Sequence, residues 1–364
     1  MSTMTLFNAS KNRLIEADVR EEKVLLNIGS PQGNFINKAI TISEWNDYLR
    51  DKKEHGYKEI ETTITKKEVK LHPVLAGLRD ISRQIIEKNY KFTITPTKEN
   101  IDKAKALLID LSKEKNLIKF NETLYKIFEL IPRKMKNPIL FTAKNKDDFV
   151  DILDRENTLL SNLESFDDSD ESEDNNISFR DCTEREVEEI KDHLDGHTKG
   201  LFYKAYAVSN KTSDSAFEAY KKEHGISKTT YLYHGSRNEN WYSIIKTGLS
   251  CNPVNVFIAG KMFGNGIYFA PKAIKSRGYT SLLGARHAGD TKSYGYIAVY
   301  EVATGKEYIS PDWTPSLTEL NERKFRKEYN CDSYHAIAGK NLLEDEVIVY
   351  NNAACRIKYL IELR

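Results

Sequence analysis

The residues that could carry chemistry lie in the second half of this 364-residue chain. His234 ends an apolar, aromatic run in the segment YLYHGS, and Gly235 and Ser236 follow it directly. Taken alone, this tripeptide favours a turn between a strand and a helix. Ser236 lacks the G-x-S-x-G surroundings of a hydrolase nucleophile, so we do not expect serine-hydrolase chemistry there.

Other segments with the composition of a phosphate or metal site fail on spacing. FGNGIYFA lacks the third glycine of a dinucleotide fingerprint and runs into an aromatic strand instead of a helix. GKNLLEDE has neither the upstream glycine of a P-loop nor a hydroxyl after Lys340. The acidic run at Asp168 and Asp170 lacks the glycine of a calcium loop. The four cysteines are far apart, which argues against zinc modules and disulfides, so we expect no metal.

A set of residues that are individually weak signals becomes specific when their order is considered. The candidate site residues are His234, Gly235, Ser236, Asn240, Tyr268, Ser276, Tyr279 and Glu346. They form H-G-S, then G-x-Y-F-A, then S-x-x-Y, then a glutamate that begins an E-x-x-x-Y segment. In order and spacing these elements resemble the catalytic domain of the poly(ADP-ribose) polymerases.

The resemblance implies that NAD is the substrate and that Glu346, His234 and Tyr268 are the catalytic residues. Nicotinamide would be cleaved from NAD, and ADP-ribose transferred to protein side chains, including the protein's own, and onto growing ADP-ribose chains. Positive charge develops on the ribose as nicotinamide departs, so a nearby carboxylate stabilises the transition state more than the ground state. Glu346 is assigned that role by the resemblance. The structural alternative is a strand-edge carboxylate that faces water.

The resemblance also assigns the NAD contacts. Nicotinamide is flat and carries one amide, so its recognition needs a stacking surface, a donor and an acceptor. Gly235 would bind the amide through its backbone and Ser276 through its hydroxyl, with Tyr279 and Tyr268 on either side of the ring. Ordinary sheet packing remains the alternative for both tyrosines.

The adenosine end of NAD would lie nearer the start of this set. His234 is assigned to the adenine-side ribose hydroxyls, with Ser236 and Asn240 close to it. His234 is therefore expected to position the substrate, not to act as a general base.

The elements that must hold these residues belong to a multidomain α+β chain. We predict a small β-rich N-terminal domain at residues 1–66, an α-helical bundle at 67–164, an acidic linker at 165–177 and an antiparallel-sheet ADP-ribosyltransferase domain at 178–364. Segments rich in Tyr, Val and Ile predict the strands of the last domain: LFYKAYAV, TTYLYHG, NGIYFA, GYIAVYEVA, EVIVYN and CRIKYLIEL. Residues 304–339 are expected to form an acceptor-side loop.

Local signals place the ends of the upstream helices. Ser43 is the expected N-cap of a short helix that stops at Gly56. Apolar residues at three- and four-residue spacing predict four or more helices between residues 70 and 163, with Thr97 and Asn121 as N-caps. The acidic segment reads as a solvated linker, and automodification at Ser169 and Ser172 is the less favoured alternative.

The resemblance extends upstream of the catalytic segment. LSKEKNLIKFNETLYKIFELIPRK looks like the regulatory helical domain that precedes such catalytic domains, and residues 1–66 look like a WGR domain through NIGSPQG and KKEHGYKEI. Leu25, Leu26 and Asn27 stand where Trp-Gly-Arg would fall, a departure that bears on the DNA contact. DNA ends or nicks are the implied activating partner, by domain order.

Composition leaves several alternatives open. The formal net charge is +1, and no segment is basic enough to indicate nucleic-acid binding by itself. A mono-ADP-ribosyltransferase on the same fold is one alternative, and a non-catalytic scaffold that binds ADP-ribose or DNA ends is another.

No apolar run of membrane-spanning length and no signal peptide is recognised. We therefore expect an intracellular protein, nuclear in a eukaryote and cytoplasmic in a bacterial or viral setting, with no membrane partner.

Overall fold

A computed structural model describes residues 2–20, 23–30, 36–60, 71–90, 96–165, 176–251, 262–285 and 292–364. The chain divides into two compact units, Met1–Val69 and Lys70–Arg364, which are considered separately. No helix in the described ranges is long and apolar enough to cross a membrane.

The smaller unit is an antiparallel sheet with one helix. Apolar side chains alternate along its strands, and Leu6, Ile15 and Val24 are fully buried beneath the helix residue Trp45. The strand order is β4-β3-β2-β1-β5. Its elements are β1 (Ser2–Asn8), β2 (Arg13–Val19), β3 (Lys23–Gly29), β4 (Ile36–Thr41), α1 (Ile42–Glu54) and β5 (Lys58–Ile60).

The helix of this unit begins two residues before the predicted cap. Thr41, not Ser43, is the N-cap, because its hydroxyl accepts from the amide of Glu44 while the Glu44 carboxylate accepts from the amide of Thr41. This reciprocal pair satisfies two amides that would otherwise lack partners. Gly56 adopts a φ of +83° just after the helix, as expected of a stop signal.

The larger unit begins with a helical region. Its helices are α2 (Pro73–Asn89), α3 (Lys98–Lys113), α4 (Leu117–Leu130) and α5 (Asp148–Glu164). Thr97 caps α3 as predicted. The predicted cap at Asn121 is wrong, because Asn116 caps α4 and Asn121 lies inside the helix. The Asn121 amide instead exchanges two hydrogen bonds of 2.9 Å with the backbone of Ala143.

Helix α2 belongs to two hydrophobic clusters. Leu75 and Leu78 are 1% exposed and pack in one core with Trp241 and the strands of the C-terminal region. Ile86 packs in the core of α3–α5. Helix α2 therefore packs in the cores of both the helical region and the C-terminal region.

The described residues from 176 onward form two sheets with flanking helices. One has the order β6-β7-β14-β10-β8 and is antiparallel, and the other has the order β11-β12-β13-β9 and is antiparallel except for the pair β11/β12. The elements are β6 (Ile177–Asp181), α6 (Glu184–His193), α7 (Gly196–Lys199), β7 (Phe202–Asn210), α8 (Lys211–His224), β8 (Thr230–Ser236), α9 (Trp241–Thr247), β9 (Ile267–Phe269), α10 (Ala273–Arg277), β10 (Gly295–Val302), β11 (Glu307–Ser310), α11 (Glu322–Tyr329), β12 (Ser333–Ala336), β13 (Glu346–Val349) and β14 (Cys355–Leu363).

The expected acceptor-side loop at residues 304–339 is wrong. This segment folds into β11, α11 and β12, and Phe325 and Tyr334 are 1% exposed in a core beneath the second sheet. The apolar residues of the segment are widely spaced, so they do not signal a strand or helix until they pack together. The connection that leads into β13 is reduced to residues 337–345. The segment 165–177 lies mostly outside the described residues, as do Asp168, Ser169, Asp170 and Ser172.

Candidate active site

His234 lies on β8, where the two C-terminal sheets meet. Backbone hydrogen bonds of 2.8 and 2.9 Å between Tyr233 and Ala270 tie β8 to the residue after β9. Nδ1 of His234 is 2.9 Å from the carbonyl oxygen of Tyr268. Since a carbonyl oxygen only accepts, Nδ1 donates and Nε2 of the neutral ring is left as an acceptor. Burial lowers the pKa of His234, against the opposite effect of the Tyr268 carbonyl, and so favours this neutral form.

Gly235 is required by the approach of α10 to β8. A Cβ atom at this position would lie 1.8 Å from the carbonyl oxygen of Ser276. No side chain fits at that distance, so only glycine allows the two backbones to meet. Ser276 is itself 3% exposed. The structure therefore places Gly235 and Ser276 side by side, although 41 positions separate them in the sequence.

Tyr268 and Tyr279 lie close to Glu346. The Tyr268 hydroxyl donates to the carbonyl oxygen of Gly264 at 2.8 Å and accepts from the amide of Phe263 at 3.0 Å. Burial is the main cause that raises the pKa of each tyrosine hydroxyl, and the charge of Glu346 acts in the same direction on both. The two rings are half-buried. This arrangement fixes the Tyr268 ring by its hydroxyl and leaves part of its surface exposed.

Glu346 is a buried carboxylate at the first residue of β13. It is 6% exposed, and Lys275 Nζ lies 2.7 Å from its Oε1. Its Oε2 is buried and has no hydrogen-bond partner among the described residues. Burial raises the pKa of Glu346 above its ordinary value of 4.5, and the neighbouring Lys275 ammonium only partly offsets this. A buried oxygen without a partner is costly unless something outside the chain pairs with it.

Lys275 is a site residue that the sequence did not reveal. Its ammonium, on α10, contacts Glu346 and also donates to the carbonyl oxygen of Glu344 at 2.8 Å. Its neighbour Ser276 was recognised through the S-x-x-Y spacing, but nothing local distinguishes Lys275 from Lys272 or Arg277. A physical argument could have indicated a partner for Glu346: a carboxylate buried at the start of a strand needs a cation, and the α10 segment carries basic side chains.

Ser236 and Asn240 form a second group at the end of β8. The Asn240 side-chain amide donates to the Ser236 hydroxyl at 3.0 Å. Asn240 is the last residue of a short 3-10 turn and directly precedes α9. This hydrogen bond occupies one lone pair of the serine, which fits a positioning contact better than a nucleophile.

The predicted site residues therefore converge from four parts of the chain onto the junction between the two sheets. The roles assigned to them stay predictions. The residues brought to this junction are His234, Gly235, Tyr268, Ser276, Tyr279 and Glu346, with Ser236 and Asn240 next to them on β8 and the turn that follows. Within the described ranges, no group of three or more His, Cys, Asp or Glu residues is placed to hold a metal ion.

Comparison with known proteins identifies the family to which the region of these site residues is similar. Residues 185–364 match the model of the poly(ADP-ribose) polymerase catalytic domain. The poly(ADP-ribose) polymerase-like protein 100L of Invertebrate iridescent virus 6 is 30% identical over 188 residues, which are 50% of this chain and 96% of the viral protein. Human poly(ADP-ribose) polymerase 2 is 37% identical over 175 residues, or 42% of this chain and 29% of that protein. Poly(ADP-ribose) polymerase 1 of Xenopus laevis is 28% identical over 172 residues, or 42% of this chain and 16% of that protein.

These matches differ in how much of each relative they cover. The chain spans nearly all of the viral protein but less than a third of the human and Xenopus enzymes. The matches say nothing of a WGR domain or of a regulatory helical domain, and the domain boundaries at 66, 164 and 177 stay predictions. The viral match, over almost the full length of that protein, and the domain model together show that the chain belongs to the poly(ADP-ribose) polymerase family, with its catalytic domain at residues 185–364.

Proposed function

We propose that the protein is an NAD-dependent ADP-ribosyltransferase. The observation that carries the proposal is the half-satisfied carboxylate of Glu346, buried beside two tyrosines with one oxygen on Lys275 and the other without a partner among the described residues. A carboxylate held this way suits a ligand that develops positive charge. The family shown by the comparisons makes NAD the expected ligand.

The reaction breaks the bond between nicotinamide and the ribose of NAD, with the electron pair leaving on nicotinamide, and the acceptor forms the new bond to ribose as it loses a proton. The Glu346 carboxylate stabilises the positive charge that develops on the ribose in the transition state. Because burial raises its pKa, the active ionised form is lost earlier than for an ordinary carboxylate as the pH falls. Lys275 counteracts that loss by favouring the ionised form.

The other residues bind and orient NAD. Nε2 of His234 is free to accept from a ribose hydroxyl because Nδ1 is committed to Tyr268. The close approach of Gly235 to Ser276 makes a narrow backbone wall for the nicotinamide amide, and the partly exposed rings of Tyr268 and Tyr279 offer surfaces for stacking. Ser236 and Asn240 would support the adenosine side.

The size of the product is the second part of the proposal. His234, Tyr268 and Glu346 together are the combination that the resemblance associates with chain elongation, so we favour transfer onto growing ADP-ribose chains. One observation favours single transfer instead: residues 304–339 are folded, and only residues 337–345 connect β12 to β13 on the expected acceptor side. The connection at residues 337–345 offers less surface for holding an ADP-ribose chain as acceptor than the expected loop at residues 304–339 would.

Incubation with NAD, followed by nicotinamide measurement and electrophoresis, tests both parts. We expect nicotinamide release with a high-mass smear of modified protein, and loss of both in Glu346→Gln. A discrete shift would select single transfer. Absence of release with nicked DNA, blunt DNA and no DNA, from a protein that is folded and binds ADP-ribose, would contradict the enzyme proposal and favour a scaffold.

Regulation by DNA is a further part of the proposal. Residues 1–66 would act as a WGR-like sensor of DNA ends or nicks, and the helical region as a brake on the NAD site. The contacts that support a brake join α2 to the turn before α9: the Ser82 hydroxyl donates to the carbonyl oxygen of Glu239 at 2.6 Å, next to Asn240. Comparing nicotinamide release with nicked, blunt and no DNA tests the dependence.

A further inference from the structure

Three consecutive acidic residues, 344–346, lead into β13, and each is paired with a different basic side chain. The pairs are Glu344 with Lys272 at 2.9 Å, Asp345 with His335 at 3.0 Å and Glu346 with Lys275 at 2.7 Å. The two lysines come from the α10 segment, and His335 comes from β12. The short connection that presents the buried carboxylate is thus held from both sides.

His335 occupies a distinctive position in this arrangement. Its Nδ1 lies 3.1 Å from Oε2 of Glu307, and its Nε2 lies 3.0 Å from Oδ2 of Asp345. Ionised carboxylates can only accept hydrogen bonds. Both contacts are therefore hydrogen bonds only when both ring nitrogens carry protons. A neutral ring would turn one lone pair toward a carboxylate.

Both carboxylates also have a lysine neighbour. Glu307 is paired with Lys228, and the charge of Lys272 helps to lower the pKa of Asp345. Partial burial acts to raise the pKa of Asp345, but the hydrogen bond from the amide of Ala338 and the contact with His335 prevail and lower it. Asp345 is consequently an ionised carboxylate that is fixed at both oxygens, directly before Glu346 in the chain.

We propose that His335, by bridging Glu307 and Asp345, is a positioning residue for Glu346. This inference rests on the proposed function of Glu346. The ring of His335 ties β11, β12 and the residue before Glu346 into one unit, so that the carboxylate of Glu346 keeps its orientation during turnover. Loss of this bridge releases Asp345 from β11 and β12.

The consequence is a dependence of turnover, and not of NAD binding, on the bridge through His335. When the bridge is removed, kcat for nicotinamide release should fall. The KM for NAD should stay constant, because the side-chain hydrogen bonds of His335 in the described part of the chain go to Glu307 and Asp345 and to none of the residues proposed to bind NAD. A residue with a purely structural role would produce no such split between kcat and KM.

His335→Gln is the direct test, since glutamine stays polar but lacks the two ring nitrogens that face Glu307 and Asp345. We expect kcat to fall about tenfold with an unchanged KM for NAD, within the range that a small misplacement of a reacting group produces. His224→Gln, at an exposed histidine on α8, is the matched control and should keep the wild-type kcat and KM. A wild-type kcat in His335→Gln would overturn the inference.

A second measurement separates this inference from the proposed function. The Ala338 amide donates to Oδ1 of Asp345 at 2.8 Å, so its hydrogen exchange reports whether Asp345 is fixed, with no need for activity. His335→Gln and Asp345→Asn should each speed Ala338 exchange relative to the wild type at the same pH, and the double variant should add little. Unchanged exchange would refute the positioning role. A wild type that releases no nicotinamide would refute the proposed function, while the exchange result would still decide the positioning role.

Discussion

Two carboxylates buried in the larger unit show how similar ion pairs serve different ends. Glu156 of α5 is 1% exposed and lies 2.7 Å from Arg133, while Glu346 of β13 is 6% exposed and lies 2.7 Å from Lys275. In the helical region both oxygens of Glu156 are occupied, one by Arg133 and the other by Arg155 at 2.9 Å. In the catalytic region, only one oxygen of Glu346 has a hydrogen-bond partner among the residues that the structure describes.

This difference separates a structural ion pair from a candidate catalytic one. A buried charge is tolerated when all of its hydrogen-bonding capacity is used, as in Glu156. Glu346 has one buried oxygen to which no described residue donates a hydrogen bond, and burial raises the pKa of this carboxyl. Such a group costs stability unless a ligand completes its shell, which is typical of functional sites.

Glu156→Gln should have the largest effect in this comparison, on stability. Removing the charge leaves Arg133 buried without a counter-charge, and breaking a buried pair in this way costs about 3–5 kcal/mol. We expect the free energy of unfolding, measured by denaturant titration, to fall by that amount. Turnover should persist at temperatures where the variant is folded. A change in stability below about 1 kcal/mol would remove the structural role given to this pair.

Glu346→Gln should produce the reverse pattern, with a large loss of turnover and a small change in stability. We expect kcat for nicotinamide release to fall about 10²- to 10³-fold, the usual effect of removing one group that stabilises transition-state charge. Stability should change little at neutral pH. A raised pKa means that the folded state favours protonated Glu346, so ionisation of Glu346 opposes folding as the pH rises, and glutamine relieves that cost.

The contrast between binding and turnover completes that test. His234→Ala should mainly weaken NAD binding measured by calorimetry, whereas Glu346→Gln should leave it nearly unchanged. Full modification activity in Glu346→Gln would refute the assignment of Glu346.

Lys275→Met addresses the cation of the catalytic pair. Lys275 lowers the pKa of Glu346, so its removal should raise that pKa further and move the acidic limb of the kcat profile to higher pH. A shift of one pH unit corresponds to about 1.4 kcal/mol and to a tenfold loss at pH values on the limb. The measurement is kcat between pH 5 and 9. Lys272→Met, which removes the cation of the adjacent Glu344, should leave the limb in place. If both variants shift it equally, the effect is one of general charge and not of the pair.

The same comparison shows what the sequence could predict. β8, β10, β13 and β14 lie in segments rich in Tyr, Val, Leu and Ile, so local composition was enough to place them. The family pattern was enough to predict Glu346 as a site residue. It did not predict Lys275, because Lys275 meets the Glu346 carboxylate only when α10 packs against the second sheet. The folding of residues 304–339 was missed for a related reason: its buried residues are scattered and gain their partners from distant strands.

The N-cap of α4 was also predicted at the wrong residue, because local sequence alone does not fix it. Asn116 and Asn121 are both reasonable caps by composition, and the local sequence does not choose between them. Tertiary structure decides, because the side chain of Asn121 is committed to the backbone of Ala143.

The smallest expected effect concerns the contacts that join the two regions. Deletion of residues 68–164 would be the simplest way to release a brake, but it removes Leu75 and Leu78 from the core of the catalytic region. Ser82→Ala is a cleaner change, because it removes only the buried hydrogen bond from α2 to the carbonyl oxygen of Glu239. The loss of such a bond costs about 1 kcal/mol, enough to raise the population of a loosened α2 about fivefold.

If the helical region restrains the NAD site, basal nicotinamide release by Ser82→Ala should therefore rise by up to about fivefold without DNA, and stimulation by DNA should shrink. Ser112→Ala, which removes a comparable bond of 2.7 Å inside α3, is the matched control and should leave basal release unchanged. Release that stays constant or falls in Ser82→Ala, from a protein as stable as the control, would mean that α2 supports the NAD site instead of restraining it. Helix α2, which packs both in the core of the catalytic region and in the core of α3–α5, would then belong to the support of the active site.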